Sequence, residues 1–417
     1  MRRVNSFAFA ATIVLAAAGL AVTACGPAQQ PPVLTATAFE GARLIAGDGS
    51  APIENATLVV DGGMIVAAGA AANVEVPAGA ARVDLAGKTV MPAIIDTHNH
   101  LSQTREELTL DLKRRAYFGV GAATSLGMDQ GEVLEMHGQL IPGAARYFTA
   151  GRGITRPEPG RSTAPYWINT EAEARQAVQE QAALGVDIIK VWVDDRNDMY
   201  EKLTSELYGA VIDEAHMRGL RVTAHIFELE DAKGLLRGGI DAFAHGVRDR
   251  DIDDEFAALF TERPNVVLVP NLPDRGVVTD LSWLSGVLPA DQFAELEEGN
   301  TDRPQQQEAH GIQARNLARL NAAGVRIALG TDGNTPWAPH AEMADMVAAG
   351  MTPMQVIVAA TRNSAEFLGM TDAGTLEAGK SADFIVLDAN PLDDITNTRR
   401  ISAVYLRGEA VDRAALP

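Results

Sequence analysis

Two histidines that could share a metal ion lie in the segment Asp96-Thr97-His98-Asn99-His100. The segment follows an apolar run, which predicts that it ends a β-strand. Side chains two residues apart on a strand project to the same side, so His98 and His100 can bind one ion together. A divalent ion held there would act as a Lewis acid and supply hydroxide at neutral pH. One His-x-His pair is weak evidence, so its meaning depends on what else the chain brings to the same place.

Three further side chains of metal-binding type end other predicted strands. They are His225, His245 and Asp332, the last within Gly330-Thr331-Asp332. If the strands are parallel and close into a barrel, their carboxyl ends meet at one rim, where the active sites of such barrels lie. The three side chains are therefore expected beside the histidine pair.

Lys190 stands inside an apolar run on the predicted fourth strand. An unpaired lysine charge is costly to bury, so two interpretations are open. In the first, Lys190 is salt-bridged at the end of the strand. In the second, it is a neutral amine that captures CO₂ and becomes a carbamate, an anionic bridge between two metal ions. The histidines and the aspartate favour the second interpretation.

The elements that must position these side chains alternate between strand and helix. Strand-like runs occur at residues 93–98, 122–126, 147–151, 187–193, 221–227, 242–247, 266–272 and 326–330. Helical patterns separate most of them, which is typical of an α/β fold, the (β/α)₈ TIM-like barrel. More than fifty residues, 273–325, separate the last two strands. Such a long connection predicts a lid or a wall of the pocket.

Both ends of the chain are rich in short β-type runs. Near the N-terminus two of them flank Asp61-Gly62-Gly63, which predicts a hairpin. Similar runs occupy residues 383–387 and 402–406. We expect a small β-sandwich domain formed from both termini. The predicted organisation is a signal peptide at 1–24, a lipidated cysteine with a flexible tether at 25–36, β-sandwich parts at 37–90 and 369–417, and the barrel at 91–368.

Taken together, these motifs resemble those of the metal-dependent amidohydrolase superfamily. The resemblance extends from about residue 44 to residue 392. It rests on residues 90–100, Lys190, His225, His245, residues 330–332 and residues 374–384, the last similar to the return into the superfamily's β-domain. A lysine on the fourth strand is typical of binuclear, carboxylated-lysine members, among them Xaa-Pro dipeptidase-like enzymes. Imidazolonepropionase-like members share the framework but bind one metal.

The resemblance implies a site with two divalent ions, by default zinc. His98, His100 and Asp332 would hold the first ion, and His225 and His245 the second, with a CO₂-derived carbamate on Lys190 bridging them. Asp332 would be the catalytic residue, because it accepts a proton from the attacking water and passes it to the leaving nitrogen.

Several side chains near the predicted strand ends are candidates for contact with a small-molecule substrate. Arginines can bind a carboxylate with two hydrogen bonds, and a surface ion-pair cluster is the competing interpretation. The candidates are Arg248 and Arg250 after strand six, Arg152 and Arg156 after strand three, and His340 after strand eight. A departure from some peptide-cleaving relatives is Phe227, where they carry a tyrosine.

The function that these observations favour is hydrolysis of an amide bond, in a dipeptide or an N-acyl amino acid. The alternatives are a mononuclear deaminase or imidazolonepropionase-like cyclic amide hydrolase, a lactone or phosphotriester hydrolase, and a non-catalytic metal-binding lipoprotein. An intact Asp332 argues against the last, because a binding site has less need of a proton carrier.

Composition excludes some partners. The 417 residues carry 35 Lys and Arg against 55 Asp and Glu, a formal net charge of −20. Such a surface repels phosphate backbones, and aromatic residues make up only 5%, so nucleic acid is not an expected partner. Oligomeric state is not predicted.

The N-terminus predicts export. Arg2 and Arg3 precede an uncharged apolar run that is short for a membrane span and typical of a signal peptide. The run ends in Val22-Thr23-Ala24-Cys25, similar to the bacterial lipobox, and Cys25 is the only cysteine of the chain. Ordinary cleavage after Ala24 is the alternative. We expect lipidation of Cys25, a membrane contact through that anchor only, and outer-membrane sorting if the source is Gram-negative.

Overall fold

The structure is a computed structural model that describes residues 36–416. The predicted signal peptide, Cys25 and all of the predicted tether except Ala36 lie outside the described residues. Among the helices of the described part, none combines the length and the apolar character needed to cross a membrane.

Strands and helices follow one another along the chain with few long gaps. The strands are β1 Thr37–Leu44, β2 Ile53–Asp61, β3 Met64–Ala70, β4 Ala81–Asp84, β5 Thr89–Pro92, β6 Ile94–Asn99, β7 Val120–Ser125, β8 Arg146–Thr149, β9 Ile154–Thr155, β10 Tyr166–Trp167, β11 Ile189–Val193, β12 Val222–Ile226, β13 Ala242–Phe243, β14 Val267–Leu268, β15 Arg326–Ile327, β16 Phe384–Leu387, β17 Ile401–Leu406 and β18 Glu409–Ala410. The α-helices are α1 Arg105–Tyr117, α2 Glu171–Leu184, α3 Ser205–Met217, α4 Leu229–Gly238, α5 Asp254–Thr261, α6 Ala290–Gly299, α7 Pro304–Ala322, α8 Ala338–Ala348, α9 Pro353–Val358 and α10 Ser364–Leu368. Short 3₁₀ turns span Ala71–Asn73, Gly131–Met136, Ser282–Leu284 and Ile395–Arg399, and a π-helical turn spans Ala359–Asn363.

The two ends of the chain build one eight-stranded sheet. Its order is β18-β17-β16-β5-β1-β2-β3, with β4 paired beside β1. The antiparallel pair β5–β16, in which Val90 lies opposite Val386, joins the N-terminal strands to the C-terminal ones. The sheet has its own apolar core, in which Phe39 and Phe384 pack edge to face. The predicted small β-domain built from both termini is confirmed.

The predicted hairpin turn is also present. β2 ends at Asp61 and β3 begins at Met64, so Gly62 and Gly63 form the turn. Both glycines have positive φ, 56° and 80°. A Cβ on Gly63 would lie 2.7 Å from the Arg407 carbonyl oxygen, so only glycine fits beside the C-terminal strands.

The remaining strands form the barrel. Parallel pairing gives one sheet β6-β7-β8 and a second sheet β10-β9-β11-β12-β13-β14-β15. β8 and β9 belong to the same short stretch of chain, and β9 pairs with β11, so they connect the two sheets on one side. On the other side backbone hydrogen bonds link Thr97 to Leu329 (2.9 Å) and Thr331 to His98 (3.1 Å). All eight predicted barrel strands are present, and the α/β fold class is confirmed.

Helices cover the outside of the barrel for reasons visible in their sequences. In α2, Thr170 accepts a hydrogen bond from the Glu173 backbone and Glu173 returns one, a capping box. Ala174, Ala177 and Val178 recur at helical spacing and are buried against the strands. Gly185, with φ of 75°, ends the helix in the left-handed conformation. With helices outside, the carboxyl ends of the strands are free to carry a site.

The long connection before β15 folds across the barrel. Its apolar residues Leu284 and Leu288 pack with Tyr117 and Phe118 at the end of α1, and Trp283 lies against the Phe118 ring. Leu281, Trp283 and Leu296 of the connection also line one cleft with Leu272 and Thr331, so the connection forms a wall of that cleft.

Candidate active site

His98, His100 and Asp332 meet at the carboxyl ends of β6 and β15. The Asp332 Oδ1 atom lies 3.2 Å from His98 Nε2 and 3.0 Å from His100 Nε2. One ligand atom from each of the three side chains lies within 4.8 Å of the others. The side chain of His98 is buried, whereas His100 and Asp332 are about one-third exposed. The predicted histidine pair and the predicted aspartate thus come together, open to solvent on one side.

The conformation of Asp332 is set by hydrogen bonds to the neighbouring strand. Its backbone N–H donates to the His98 carbonyl oxygen at 2.8 Å. Its φ is 53°, a conformation that residues other than glycine seldom adopt. Such backbone conformations are most often kept at functional sites, where the surroundings compensate for their cost.

Gly330 permits the close approach of β15 to β6. A Cβ at this position would lie 2.5 Å from Val269, 2.7 Å from Asn271 and 2.8 Å from the His98 Cβ. We expect Gly330→Ala to lower the free energy of unfolding by about 1–3 kcal/mol, because overpacking displaces neighbours, and to weaken metal binding by moving His98.

Gly333→Ala is the matched control. A Cβ at Gly333 would meet only the Thr331 carbonyl oxygen, at 4.0 Å, so stability and metal affinity should stay near wild type. Chemical denaturation and metal titration of both variants measure the difference. Equal behaviour of the two variants would contradict the steric argument.

The side of His98 away from Asp332 is also occupied. Its Nδ1 lies 3.1 Å from the Ala244 carbonyl oxygen and 2.6 Å from the Asn271 side-chain amide. A proton on Nδ1 that is donated to Ala244 leaves a lone pair on Nε2. That lone pair then faces the Asp332 carboxylate with no proton between them, an arrangement that a cation would stabilise.

His225 and His245 lie beside this group. Their ring centroids are 4.6 Å apart, and the His245 ring is 5.1 Å from the His98 ring. His245 Nε2 lies 3.5 Å from Asp332 Oδ2. The four strand-end imidazoles and the carboxylate that the sequence predicts therefore form one continuous cluster.

Lys190 is fully buried on β11, and its Nζ has no hydrogen-bond partner among the described residues. The Nζ lies 5.5 Å from the centroid of the Trp192 ring, which projects from the same side of the strand. Burial lowers the pKa of Lys190 to about 7, so a large fraction of the amine is neutral at neutral pH. A neutral, unpaired amine is the form that reacts with CO₂.

The surroundings of the imidazoles keep them neutral. Burial lowers the pKa of His98 to about 4 and that of His225 to about 3, and the charge of a protonated Lys190 acts in the same direction on both. Burial also lowers the pKa of His245 well below its usual value. Neutral imidazoles offer the lone pairs that a metal requires.

Several nitrogen atoms of these residues lack a hydrogen-bond partner among the described residues, which makes the residues suitable ligands for a metal ion. Within the described part of the chain, His98 Nε2, both ring nitrogens of His245 and Lys190 Nζ are buried without a hydrogen-bond partner. Buried polar atoms are nearly always paired, so a group of unpaired nitrogens around one carboxylate is the donor arrangement that a cation would complete. The donor set of imidazole and carboxylate suits a divalent transition metal.

Sequence reasoning missed two residues that contact His225. Asp194 Oδ2 lies 2.8 Å from His225 Nε2, and the Arg196 guanidinium lies 3.1 Å from the same atom. Arg196 also contacts Glu158 at 3.1 Å, and its φ is 58°. The available signal was the charged run that directly follows β11, because residues after a barrel strand reach the same rim.

Among the predicted substrate contacts, Arg248 is the one whose charge acts on the candidate metal site, where, besides burial, it lowers the pKa of Lys190, His225 and His245. It is partly buried, and its Nε has no hydrogen-bond partner among the described residues. Burial lowers the pKa of Arg248, and the charges of Asp332 and Asp194 act on it in the opposite direction. The Arg248 guanidinium therefore places a positive charge near the site that no ion pair of the described residues neutralises.

The other predicted contacts are engaged elsewhere. Arg250 is exposed and pairs with Asp249 at 2.5 Å. Arg152 lies over the Tyr166 ring, and its Nε donates to the Ala164 carbonyl oxygen. Both arginines therefore have interaction partners within the protein and do not need a substrate to provide one.

Arg156 and His340 also have protein partners. Arg156 donates to Asn169 at 2.9 Å and pairs with Glu201. His340 is fully buried, with one ring nitrogen 3.0 Å from Thr398 Oγ1 and the other 2.8 Å from the Phe118 carbonyl oxygen. The structure does not bring either side chain to the metal ligands.

Comparison with known proteins places the chain in a family. The model of the amidohydrolase family matches residues 89–411. An uncharacterized protein of Mycobacterium tuberculosis is 28% identical over 343 residues, which are 77% of this chain and 85% of that protein. The imidazolonepropionase of Deinococcus radiodurans is 27% identical over 383 residues, 85% of this chain and 92% of that protein.

A solved structure supports the same family assignment through its fold. A candidate prolidase of Bifidobacterium longum superposes with a TM-score of 0.76 at 28% identity, covering 92% of this chain and 96% of that one. The cluster of imidazoles and carboxylate lies at the barrel rim within the matched residues. The chain belongs to the amidohydrolase family and is a hydrolase that acts on carbon–nitrogen bonds.

Proposed function

We propose that this enzyme is a two-metal hydrolase that cleaves the amide bond of a dipeptide or an N-acyl amino acid. The observation that carries the proposal is Lys190, whose amine is fully buried and unpaired beside the imidazoles. A carbamate on this amine would supply the anion that a second metal ion needs. A purely structural lysine in this position would need an acidic partner, and no salt bridge of the described residues includes Lys190.

Each ligand has a place in this proposal. His98, His100 and Asp332 would hold one ion, and His225, His245 and carboxylated Lys190 the other, with zinc the ion that imidazole-rich sites commonly take. When bound, the ions would supply hydroxide at neutral pH and polarise the carbonyl group.

Asp332 would move the proton. Its Oδ1 lies 3.2 Å from His98 Nε2 and 3.0 Å from His100 Nε2, whereas Oδ2 lies 3.5 Å from one imidazole nitrogen only, that of His245. Oδ2 is therefore the atom that would accept a proton from water and return it to the leaving nitrogen.

The charge at the mouth supports a substrate with a carboxylate. Arg248 has an unpartnered Nε, and no salt bridge of the described residues includes it. Guanidinium groups bind carboxylates through two parallel hydrogen bonds. The names of relatives agree with an amide substrate, since a candidate prolidase and an imidazolonepropionase are both similar to this chain.

A second candidate function is supported by one specific contact. Asp194 and Arg196 engage His225 Nε2, the atom that would bind the second ion. If those contacts persist in solution, the enzyme is mononuclear and hydrolyses a cyclic amide, as the name of the Deinococcus radiodurans relative suggests.

Metal content distinguishes the two candidates. The chain should be purified with bicarbonate and zinc, and bound metal should be measured by mass spectrometry together with turnover of dipeptide and N-acyl amino acid libraries. We expect about two ions per chain and hydrolysis of an open-chain amide, as in binuclear sites. One ion per chain with turnover of cyclic amides would replace the first candidate by the second, and turnover without metal would overturn both.

We propose in addition that the enzyme is exported and lipid-anchored through Cys25, as the N-terminal sequence predicts. Metabolic labelling with a fatty acid, compared between wild type and Cys25→Ser, tests this. Labelling of both forms, or of neither, would contradict it.

A further inference from the structure

A cleft of about 560 Å³ lies between the long connection and α8. Leu281, Trp283 and Leu296 line it from the connection, and Trp337 and Glu342 line it from α8 and the segment before it. We call this space the lateral cleft. It is large enough to hold a small organic group, and none of the residues assigned to the metal site line it.

The lateral cleft begins beside the metal ligands. Thr331 and Leu272 line its inner end. Thr331 directly precedes Asp332, and Leu272 directly follows Asn271, whose side chain contacts His98. The lining of the cleft and the candidate metal site therefore contain residues that are direct neighbours along the chain.

Glu342 carries a buried carboxylate that no cation neutralises. The residue is only 5% exposed, and both carboxylate oxygens accept a hydrogen bond from the Leu272 backbone N–H at 3.1 Å. No salt bridge of the described residues includes it. Burial, followed by the negative charge of Asp345, raises the pKa of Glu342 well above its usual value. The raised pKa favours the protonated form of Glu342 while it has no positive partner, and a bound cation would favour the carboxylate.

Two of the three arginines that line the lateral cleft pair with an acidic side chain. Arg275 pairs with Asp345 at 2.7 Å, and Arg303 pairs with Asp274. Arg399 lies over the Trp283 ring, its Nε has no hydrogen-bond partner among the described residues, and the negative charges of Asp280 and Asp345 act on it. Glu342, by contrast, has no positively charged partner among the described residues.

Aromatic side chains complete the lining. Trp337 presents an indole ring, which attracts cations through its negative face, and Trp283 lines the cleft with its ring already beside Arg399. The Trp283 Nε1 is buried without a hydrogen-bond partner among the described residues. An aromatic wall with an unsatisfied indole N–H and an unpaired carboxylate is complementary to an organic cation that also carries a hydrogen-bond acceptor.

We propose that the lateral cleft is a binding subsite for an organic ammonium or guanidinium group, which Glu342 neutralises. The identity of the substrate then rests on the proposed amide hydrolysis. With both proposals, the substrate is a dipeptide or N-acyl amino acid with a basic side chain.

Three probes with similar carbon skeletons and different charge test the subsite. They are 2-phenylethylammonium, neutral 2-phenylethanol and anionic 3-phenylpropionate. Two of the four tryptophans of the chain line the cleft, so intrinsic fluorescence reports binding and calorimetry confirms it. The measurement uses the metal-loaded enzyme and is repeated after chelation, which separates cleft binding from amine coordination to metal.

We expect the ammonium to bind about tenfold more tightly than the alcohol, since a hydrogen bond to a charged group contributes about that factor. Glu342→Gln should abolish the preference. Glu297→Gln, on the exposed face of α6, removes the same charge away from the cleft and should retain it. Equal binding of the ammonium and the alcohol, a preference for the anion, or no binding of any probe would overturn the proposal. If Glu342→Gln does not fold, the wild-type comparison of the three probes still decides.

A second readout concerns the substrate. Dipeptides with lysine should show a higher kcat/KM than those with norleucine, through KM, and Glu342→Gln should remove the difference. Hydrolysis without that preference overturns the substrate inference alone. Absence of any amide hydrolysis overturns the proposed function. The probe measurements then still test whether the lateral cleft binds an organic cation.

Discussion

Replacement of Asp332 by asparagine is expected to reduce kcat by about a thousandfold, within the range that loss of a general acid–base group produces. Asparagine preserves the size of the side chain and one oxygen, but it cannot take up and return a proton. One of its two terminal atoms becomes an N–H₂ group among three imidazoles, at the distances of 3.0–3.5 Å that the carboxylate oxygens now occupy. Steady-state kinetics and metal content of Asp332→Asn measure both consequences.

The fold should tolerate this change. Asp332 is one-third exposed at the rim, so the free energy of unfolding should change by no more than about 1 kcal/mol. Asp251→Asn is the control, because Asp251 is exposed and pairs only on the surface with Arg315, so its activity should equal wild type. If Asp332→Asn kept metal and full turnover, Asp332 would not be the proton carrier.

Replacement of Lys190 is expected to remove the second metal ion. In Lys190→Ala the carbamate cannot form, so metal content should fall from about two ions per chain to about one and kcat by at least about a hundredfold. Short carboxylic acids such as propionate should restore part of the activity by occupying the vacated volume with a carboxylate.

Stability separates this role from a structural one. Lys190→Met exchanges a buried, unpaired amine for an apolar side chain of similar length, so the metal-free protein should be as stable as wild type or more stable. Lys88→Ala removes a partly exposed amine that pairs with Asp388 and should leave metal content unchanged. Two ions and full activity in Lys190→Ala, without added acid, would disprove the carbamate bridge.

The side chains that meet at the candidate metal site could be predicted because their positions follow from local patterns. His98, His225 and His245 each end an apolar run, and parallel barrel strands bring such ends to one rim. Lys190 was recognisable because a charge inside an apolar strand is unfavourable unless it has a function. The hairpin at Gly62 and Gly63 could be predicted for a similar reason, because its turn residues are adjacent in the sequence.

Contacts that depend on loops could not be predicted in this way. Asp194 contacts His225 from the position directly after β11, and Arg196 reaches the same ring nitrogen from a loop residue with φ of 58°. His340 stands close in sequence to Asp332, yet α8 turns it into the interior against Phe118. A charged or aromatic residue in a loop has no periodic pattern that reveals its direction.

The sequence by itself determined the fold class, the β-domain from both termini and the set of side chains at the barrel rim. Strand periodicity and chain order are sufficient for these, because they depend on which residues are apolar and at what spacing. Only the tertiary structure decided that Arg248, rather than Arg152 or Arg156, faces the metal ligands, and that the long connection encloses a cleft around Glu342. Those features arise where segments distant in sequence pack together, and their free energy depends on contacts that no single segment contains.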